Sequence, residues 1–130
     1  QFPFSSATKA DGLVYVSGTI VAEGDIRNQT TKVLQSIDET LKKAGSSLAM
    51  AASVQVYIKN ASDFAAMNEV YRTFWKADPP ARTTIVSDFV VPGALLDDGE
   101  DDQLRRSLLQ LAVEHAVVDI WHSHTCHRRR

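Results

Sequence analysis

Arg82 stands at the mouth of a β-type run, in Pro79-Pro80-Ala81-Arg82-Thr83-Thr84-Ile85-Val86. Two prolines fix φ and drive the residue before them out of the helical region, so any helix upstream ends there. The β-branched run from Thr83 to Val91 reads as a strand. A guanidinium is thereby held at a strand's first residue, either aimed into a cleft or standing solvated at the strand end. Ser17 sits in Val16-Ser17-Gly18 at the end of a β-type run, and Asn68 stands three residues before Tyr71 in a helical stretch. With no His or Lys beside it, Ser17 reads as a structural serine rather than a nucleophile. Asn68 also fits a helix-surface amide, and Tyr71 a core position. Asp97 heads the acidic run Asp97-Asp98-Gly99-Glu100-Asp101-Asp102, which reads as a turn and cannot be a core strand.

What the first hundred residues lack narrows the chemistry further. All four histidines (His115, His122, His124, His127) and the single cysteine, Cys126, lie after residue 100. Chemistry in the preceding body must do without a histidine base, a cysteine nucleophile or a His/Cys metal site. The tail's His122, His124, Cys126 and His127 do not follow a closed zinc spacing, so no metal site is expected. The three terminal arginines read as solubilising charge. One cysteine excludes an internal disulfide and fits a reducing compartment, cytoplasmic or mitochondrial. The net charge of −2 advertises neither nucleic-acid nor membrane binding, and no apolar run reaches the ~20 residues of a membrane span. The chain opens on Gln1 without a signal-peptide pattern, and Gln1 is not expected to be the first translated residue.

The elements that must position these residues follow from periodicity. At 130 residues one core is expected. Asp11-Gly12 ahead of Leu13-Val14-Tyr15-Val16 predicts a hairpin pairing residues near 2–8 with 13–20. Ile26, Val33, Leu34, Ile37 and Leu41 recur at helical spacing between an Asp25 cap and a Gly45 stop. Val54, Val56 and Ile58 alternate as a half-buried strand. Asn60 or Ser62 is expected to cap a second helix with the stripe Phe64, Met67, Val70, Tyr71 and Phe74, ending at Asp78-Pro79-Pro80. The order β-β-α-β-α-β describes an α/β (α+β) two-layer sandwich, both helices on one face of a mixed sheet. Leu104 to Ile120 reads as a helix, or as a strand in its second half, and the final "HSHTCHRRR" as a mobile end.

The segments "PFSSATKADGLVYVSGTI", "GDIRNQTTKVLQSIDETLKKAGSSL", "VQVYIKNASDFAAMNEVY" and "PPARTTIV…VVPGAL" resemble the Rid family of enamine/imine deaminases, also called YjgF or L-PSP proteins. The likeness runs from Pro3 to about Leu96, and divides the chain into a Rid-like domain, residues 1–97, and an atypical C-terminal tail, residues 98–130. It implies a chorismate-mutase-like fold assembled as a homotrimer with clefts between subunits. It further implies cofactor-independent hydrolysis of 2-aminoacrylate or 2-iminopropanoate to pyruvate and ammonia. By the resemblance, Arg82 clamps the substrate carboxylate, a task that suits its planar fork better than a lysine's point charge. Phe4, Ser17, Asn68 and Thr84 fall on substrate-binding positions, Phe4 without the hydroxyl many members carry. The family's catalytic Glu falls on Asp97, whose reach is shorter by one methylene, about 1.5 Å. In the family that residue begins an alternating strand, a pattern the acidic run here does not continue.

The chemistry agrees with the missing histidines. An imine conjugated to a carboxylate hydrolyses once it is oriented and offered a water, given an anion clamp, hydrogen-bonding groups and a water-positioning carboxylate or carbonyl. Two other classes compete. Single-strand endoribonucleases occur in the family, but residues 1–100 hold 9 Lys and Arg against 12 Asp and Glu, whereas phosphate binding needs clustered positive charge. The other is a catalytically impaired, chaperone-like or regulatory trimer.

Overall fold

The computed structural model describes residues 3–88 and the strand 111–119. The chain forms β1 (Ala7–Ala10), β2 (Leu13–Val16), β3 (Thr19–Val21), α1 (Ile26–Lys43), β4 (Ala51–Ile58), α2 (Phe64–Phe74), β5 (Ala81–Val86) and β6 (Leu111–Asp119). The six strands make one sheet in the order β1-β2-β6-β4-β5, with β3 also paired to β6. All pairings are antiparallel except β4 with β5, which α2 connects as a β-α-β crossover.

The β1–β2 turn follows from its two residues. Asp11 and Gly12 both have positive φ, 50° and 78°, the backbone a two-residue type I′ hairpin needs. Pairing runs from Ala10↔Leu13 to Ala7↔Val16, so the ladder starts at the turn and stays shorter than the predicted span. Asp25 caps α1 by accepting the Asn28 N–H at 2.8 Å, and Gly45, at φ +88°, takes the left-handed stop. Helix α2 departs from its predicted cap. A short 3-10 turn, Ala61–Asp63, leads into it, and the Asn60 side chain donates to Asp63 instead of capping the helix. The helix also ends at Phe74, several residues before the prolines.

One sheet face carries the core. Val14 and Val16 from β2, and Val54, Val56 and Ile58 from β4, pack against Val33, Leu34, Ile37 and Leu41 of α1 and Met67 and Tyr71 of α2. The alternation predicted for β4 is therefore observed, with Gln55 exposed on the opposite face. That face has no helix over it among the described residues.

Two elements depart from the predicted β-β-α-β-α-β order. Strand β3 extends the hairpin side, and β6 lies in the middle of the sheet. Residues 111–119, part of the segment set apart by sequence pattern at 97/98, pair antiparallel with β2, β3 and β4. The strand reading of the second half of 104–120 is the one observed over 111–119; residues 104–110 and 120–130 lie outside the described residues.

One packing detail has a pH signature. Partial burial pushes the Asp38 carboxyl up, but Lys42 at 2.6 Å and the Leu48 N–H at 2.9 Å together outweigh it and hold it below its ordinary range. A depressed carboxylate stabilises the fold above its unfolded-state value, and that stability disappears as pH falls through the folded value. Asp38→Asn keeps an acceptor for Leu48 but loses the pairing, which is worth about 1 kcal/mol or less for a partly exposed pair. The variant is expected to melt a few degrees below the parent at pH 7, and the gap to close below about pH 4. A gap unchanged by acid would show that the ionised form contributes nothing.

Candidate functional site

Arg82 is the second residue of β5 and lies beside Val54 of β4 in parallel register. Paired residues in a ladder share a face, so Arg82 points toward the helices, where α2 meets it. Its Nη2 donates to Asn68 Oδ1 at 2.6 Å. Its guanidinium carbon lies 4.7 Å from the Tyr71 ring centroid and 5.7 Å from that of Phe64. Tyr71 in turn stacks on Trp75 at 5.3 Å and 26°, and the Trp75 indole N–H donates to the Leu48 carbonyl at 3.2 Å. An amide oxygen therefore fixes one edge of the fork, and an aromatic face, itself locked into the core, holds the guanidinium over it.

The fork borders a cleft of about 430 Å³ between α2 and β5. Asn68 and Tyr71 form its floor with Trp75, Arg72 stands at the rim, and Pro79-Pro80 make the wall that leads into β5. Of the two placements open for Arg82 from its sequence context, the cleft is the one observed. Asn68 is the anchor for the arginine rather than a bare surface amide. No carboxylate among the described residues pairs with Arg82, so most of its N–H donors remain available to an anion. Burial pushes the Tyr71 phenol well above its usual range, against a smaller opposing pull from Arg82. Its hydroxyl has no hydrogen-bond partner among the described residues. It stays neutral and is no base.

The remaining candidates divide. Thr84 follows two residues after Arg82 on the same side of β5, half-buried. Ser17 stands at the other side of the sheet, where its N–H donates to Ser6 O at 3.0 Å and its hydroxyl to Ser5 O, pinning the segment that carries Phe4. Phe4 is 61% exposed. Strands β6 and β4 separate β2 from β5, about 14 Å across the sheet, so Phe4 and Ser17 do not reach the cleft of their own chain. Asp97 lies outside the described residues. The spacing that could have found the rest of the cleft is helical. Arg72 follows Asn68 by four residues and Trp75 follows Tyr71 by four, which sets all four along one side of α2 and its end.

No helix among the described residues is long and apolar enough to cross a membrane, and no group of His, Cys, Asp and Glu among them could hold a metal ion. Comparison with known proteins places this geometry. The family described as endoribonuclease L-PSP matches residues 1–97. A RutC family protein of Pyrococcus abyssi is 37% identical over 91 residues, 64% of this chain and 72% of that protein. Its counterpart from Pyrococcus horikoshii is 38% identical over the same shares. A crystal structure of a YjgF family member from Neisseria meningitidis matches with a TM-score of 0.74 at 24% identity, covering 95% of this chain and 92% of that one. A Rid family protein from Yersinia pestis matches with a TM-score of 0.68 at 26% identity, covering 91% and 88%. With the sequence pattern matched over three quarters of its length and the fold over nearly all of it, the chain belongs to the endoribonuclease L-PSP family, the YjgF/Rid proteins.

Proposed function

We propose that the chain hydrolyses 2-imino and 2-enamino acids to 2-oxo acids and ammonia, without a cofactor. One observation supports this above the others. The Arg82 fork is held by Asn68 and Tyr71 at a cleft and carries no carboxylate partner among the described residues. A planar, pre-oriented fork matches the two oxygens of a substrate carboxylate. The clamped iminium carbon then takes a water: the new C2–O bond forms, the C2–N bond breaks, and nitrogen leaves as ammonium. For 2-iminopropanoate the products are pyruvate and ammonium, with atoms and charge balanced. 2-Aminoacrylate enters as its enamine tautomer. Asp97 is the proposed water-positioning carboxylate, and Thr84 the small neighbour along β5.

The sheet geometry bears on assembly. Ser17 at the end of β2 and Phe4 ahead of β1 lie three or more strand spacings, at least about 14 Å, from β5 in one chain, so a substrate touched by both sets must lie between two copies. We place the complete site at the contacts of a homotrimer, where the β5 edge with its Arg82 cleft meets the Ser17 and Phe4 side of a second copy. Light scattering should report a trimer at micromolar concentration; a clean monomer that still hydrolyses imines would remove Phe4 and Ser17 from the site. The activity itself is checked by feeding 2-aminoacrylate from a serine dehydratase and following pyruvate release. A rate no faster than spontaneous hydrolysis refutes the deaminase reading. The ribonuclease reading in the family's description has less support here, since the described cleft offers two arginines rather than a basic track.

A further inference from the structure

The cleft holds a second cation that imine hydrolysis does not use. Arg72, on the last turn of α2, lines the same cleft as Arg82 and is exposed. Its nearest acidic neighbour on the helix is Glu69, and that carboxylate is already paired across the helix interface with Arg27. No ion pair joins Arg72 to any described residue. Tyr71 and Trp75 are each only 7% exposed, so the cleft's accessible apolar surface comes mainly from Pro79 and Pro80. The space is also large. A volume of about 430 Å³ falls in the range of pockets that hold drug-sized ligands, roughly 300–1,000 Å³, and a three-carbon imino acid fills a minor part of it.

The geometry points to an imino acid bearing a second carboxylate, of the 2-iminosuccinate or 2-iminoglutarate type, as the preferred substrate class, with Arg82 on the α-carboxylate and Arg72 on the distal one. This rests on the deaminase reading above and deepens it. The two arginines have different characters. Arg82 is fixed by Asn68 and an aromatic face, so it sets the orientation of the reacting end. Arg72 is solvated and long-stemmed, so it selects for charge without fixing one chain length, and its contribution is sensitive to salt. A cation on a helix's last turn also complements the helix dipole, and that role would not discriminate between substrates.

The test compares two imines generated in situ by flavin amino-acid oxidases, 2-iminoglutarate from glutamate and 2-iminopropanoate from alanine, each in competition with a semicarbazide trap. The parent chain is expected to show the higher kcat/KM with 2-iminoglutarate. Arg72→Gln should lower that value by about tenfold while leaving 2-iminopropanoate within twofold, and Arg72→Lys should recover part of the loss. Raising salt to 0.5 M should narrow the preference in the parent and leave the Gln variant unchanged. Equal rates on both imines, or an equal loss on both in Arg72→Gln, overturns the dicarboxylate assignment while the deaminase reading stands. If neither imine is hydrolysed, the deaminase reading falls. Calorimetry with 2-oxoglutarate and pyruvate then decides the two-arginine site, which is refuted if 2-oxoglutarate binds no more tightly than pyruvate.

Discussion

Arg82→Ala is expected to lower imine hydrolysis by about 100-fold or more in kcat/KM. The substitution removes a charge-assisted, bidentate contact of roughly 1.5–3 kcal/mol per hydrogen bond, and 100-fold corresponds to about 2.7 kcal/mol of transition-state stabilisation. Arg82→Lys should regain only part of this, because an ammonium cannot present two parallel donors in a planar fork over the Tyr71 ring. The structure adds a cost to folding. Losing the guanidinium leaves the Asn68 oxygen without that donor and the Tyr71 face without its cation, so a fall of a few degrees in Tm is expected for a domain this size. Activity and stability are therefore read together. A folded Arg82→Ala variant with near-normal turnover would reduce the residue to a solvated strand-end charge. One that does not fold would make it a structural member of the α2–β5 contact. Asn68→Ala is the milder companion, since it frees the fork without removing it.

Much of this arrangement is legible in the sequence wherever a local rule decides. Asp11-Gly12 specifies its turn by two positive φ values, and Asp25 and Gly45 bound α1 by cap chemistry. Arg82 is legible as a cleft candidate because the two prolines make its approach rigid. Its partners are less so. That Asn68 and Tyr71 hold it depends on α2 crossing back over β5, a tertiary fact that helical spacing alone does not contain. Asn60 and Ser62 compete as helix caps on equal propensity, yet the chain takes a 3-10 turn from Asn60 into α2, and neither side chain caps the helix. The distance between Ser17 and Arg82 is likewise invisible before strand order is known, because it is set by the strand that comes last in the chain and lies in the middle of the sheet.

That strand supports the second large prediction. The sequence pattern of the family ends at residue 97, and Leu104, Leu108, Leu111 and Val118 fall near helical register, so periodicity competes with the β-branched content of 111–119. What resolves the competition is the vacancy between β2 and β4. Without β6 both would be edges, and their unpaired N–H and C=O groups would face each other across an empty row. With it, Val113 lies opposite Thr19 on one side and Val56 on the other, and Val118 opposite Val14 and Ala51. Val14, Ala51 and Val56 are all fully buried, so these pairings support the core itself.

A chain ended after Asp102 is therefore expected to lose its cooperative melting transition, not merely some stability. Total stability of a domain is about 5–15 kcal/mol, and loss of a central strand removes ladder bonds on both sides, each worth about 0.5–1.5 kcal/mol net, together with the cover over two strand edges. Val113→Pro tests the strand rather than the length of the chain, since a proline in mid-sheet deletes a ladder donor and restricts φ. It should lower Tm by ten degrees or more, about 3 kcal/mol at this size. Lys9→Pro supplies the contrast. The Ser17 N–H donates to Ser6 O, so the alternate residues Ser6, Thr8 and Ala10 face β2, and the Lys9 N–H points off the outer edge of the sheet. That variant should stay within a few degrees of the parent. If the truncated chain melts like the full one, residues 103–130 are dispensable to the fold and the C-terminal segment is no part of the sheet. If it fails to fold while Lys9→Pro does not, the sheet that carries Arg82 is completed by residues the family pattern does not reach.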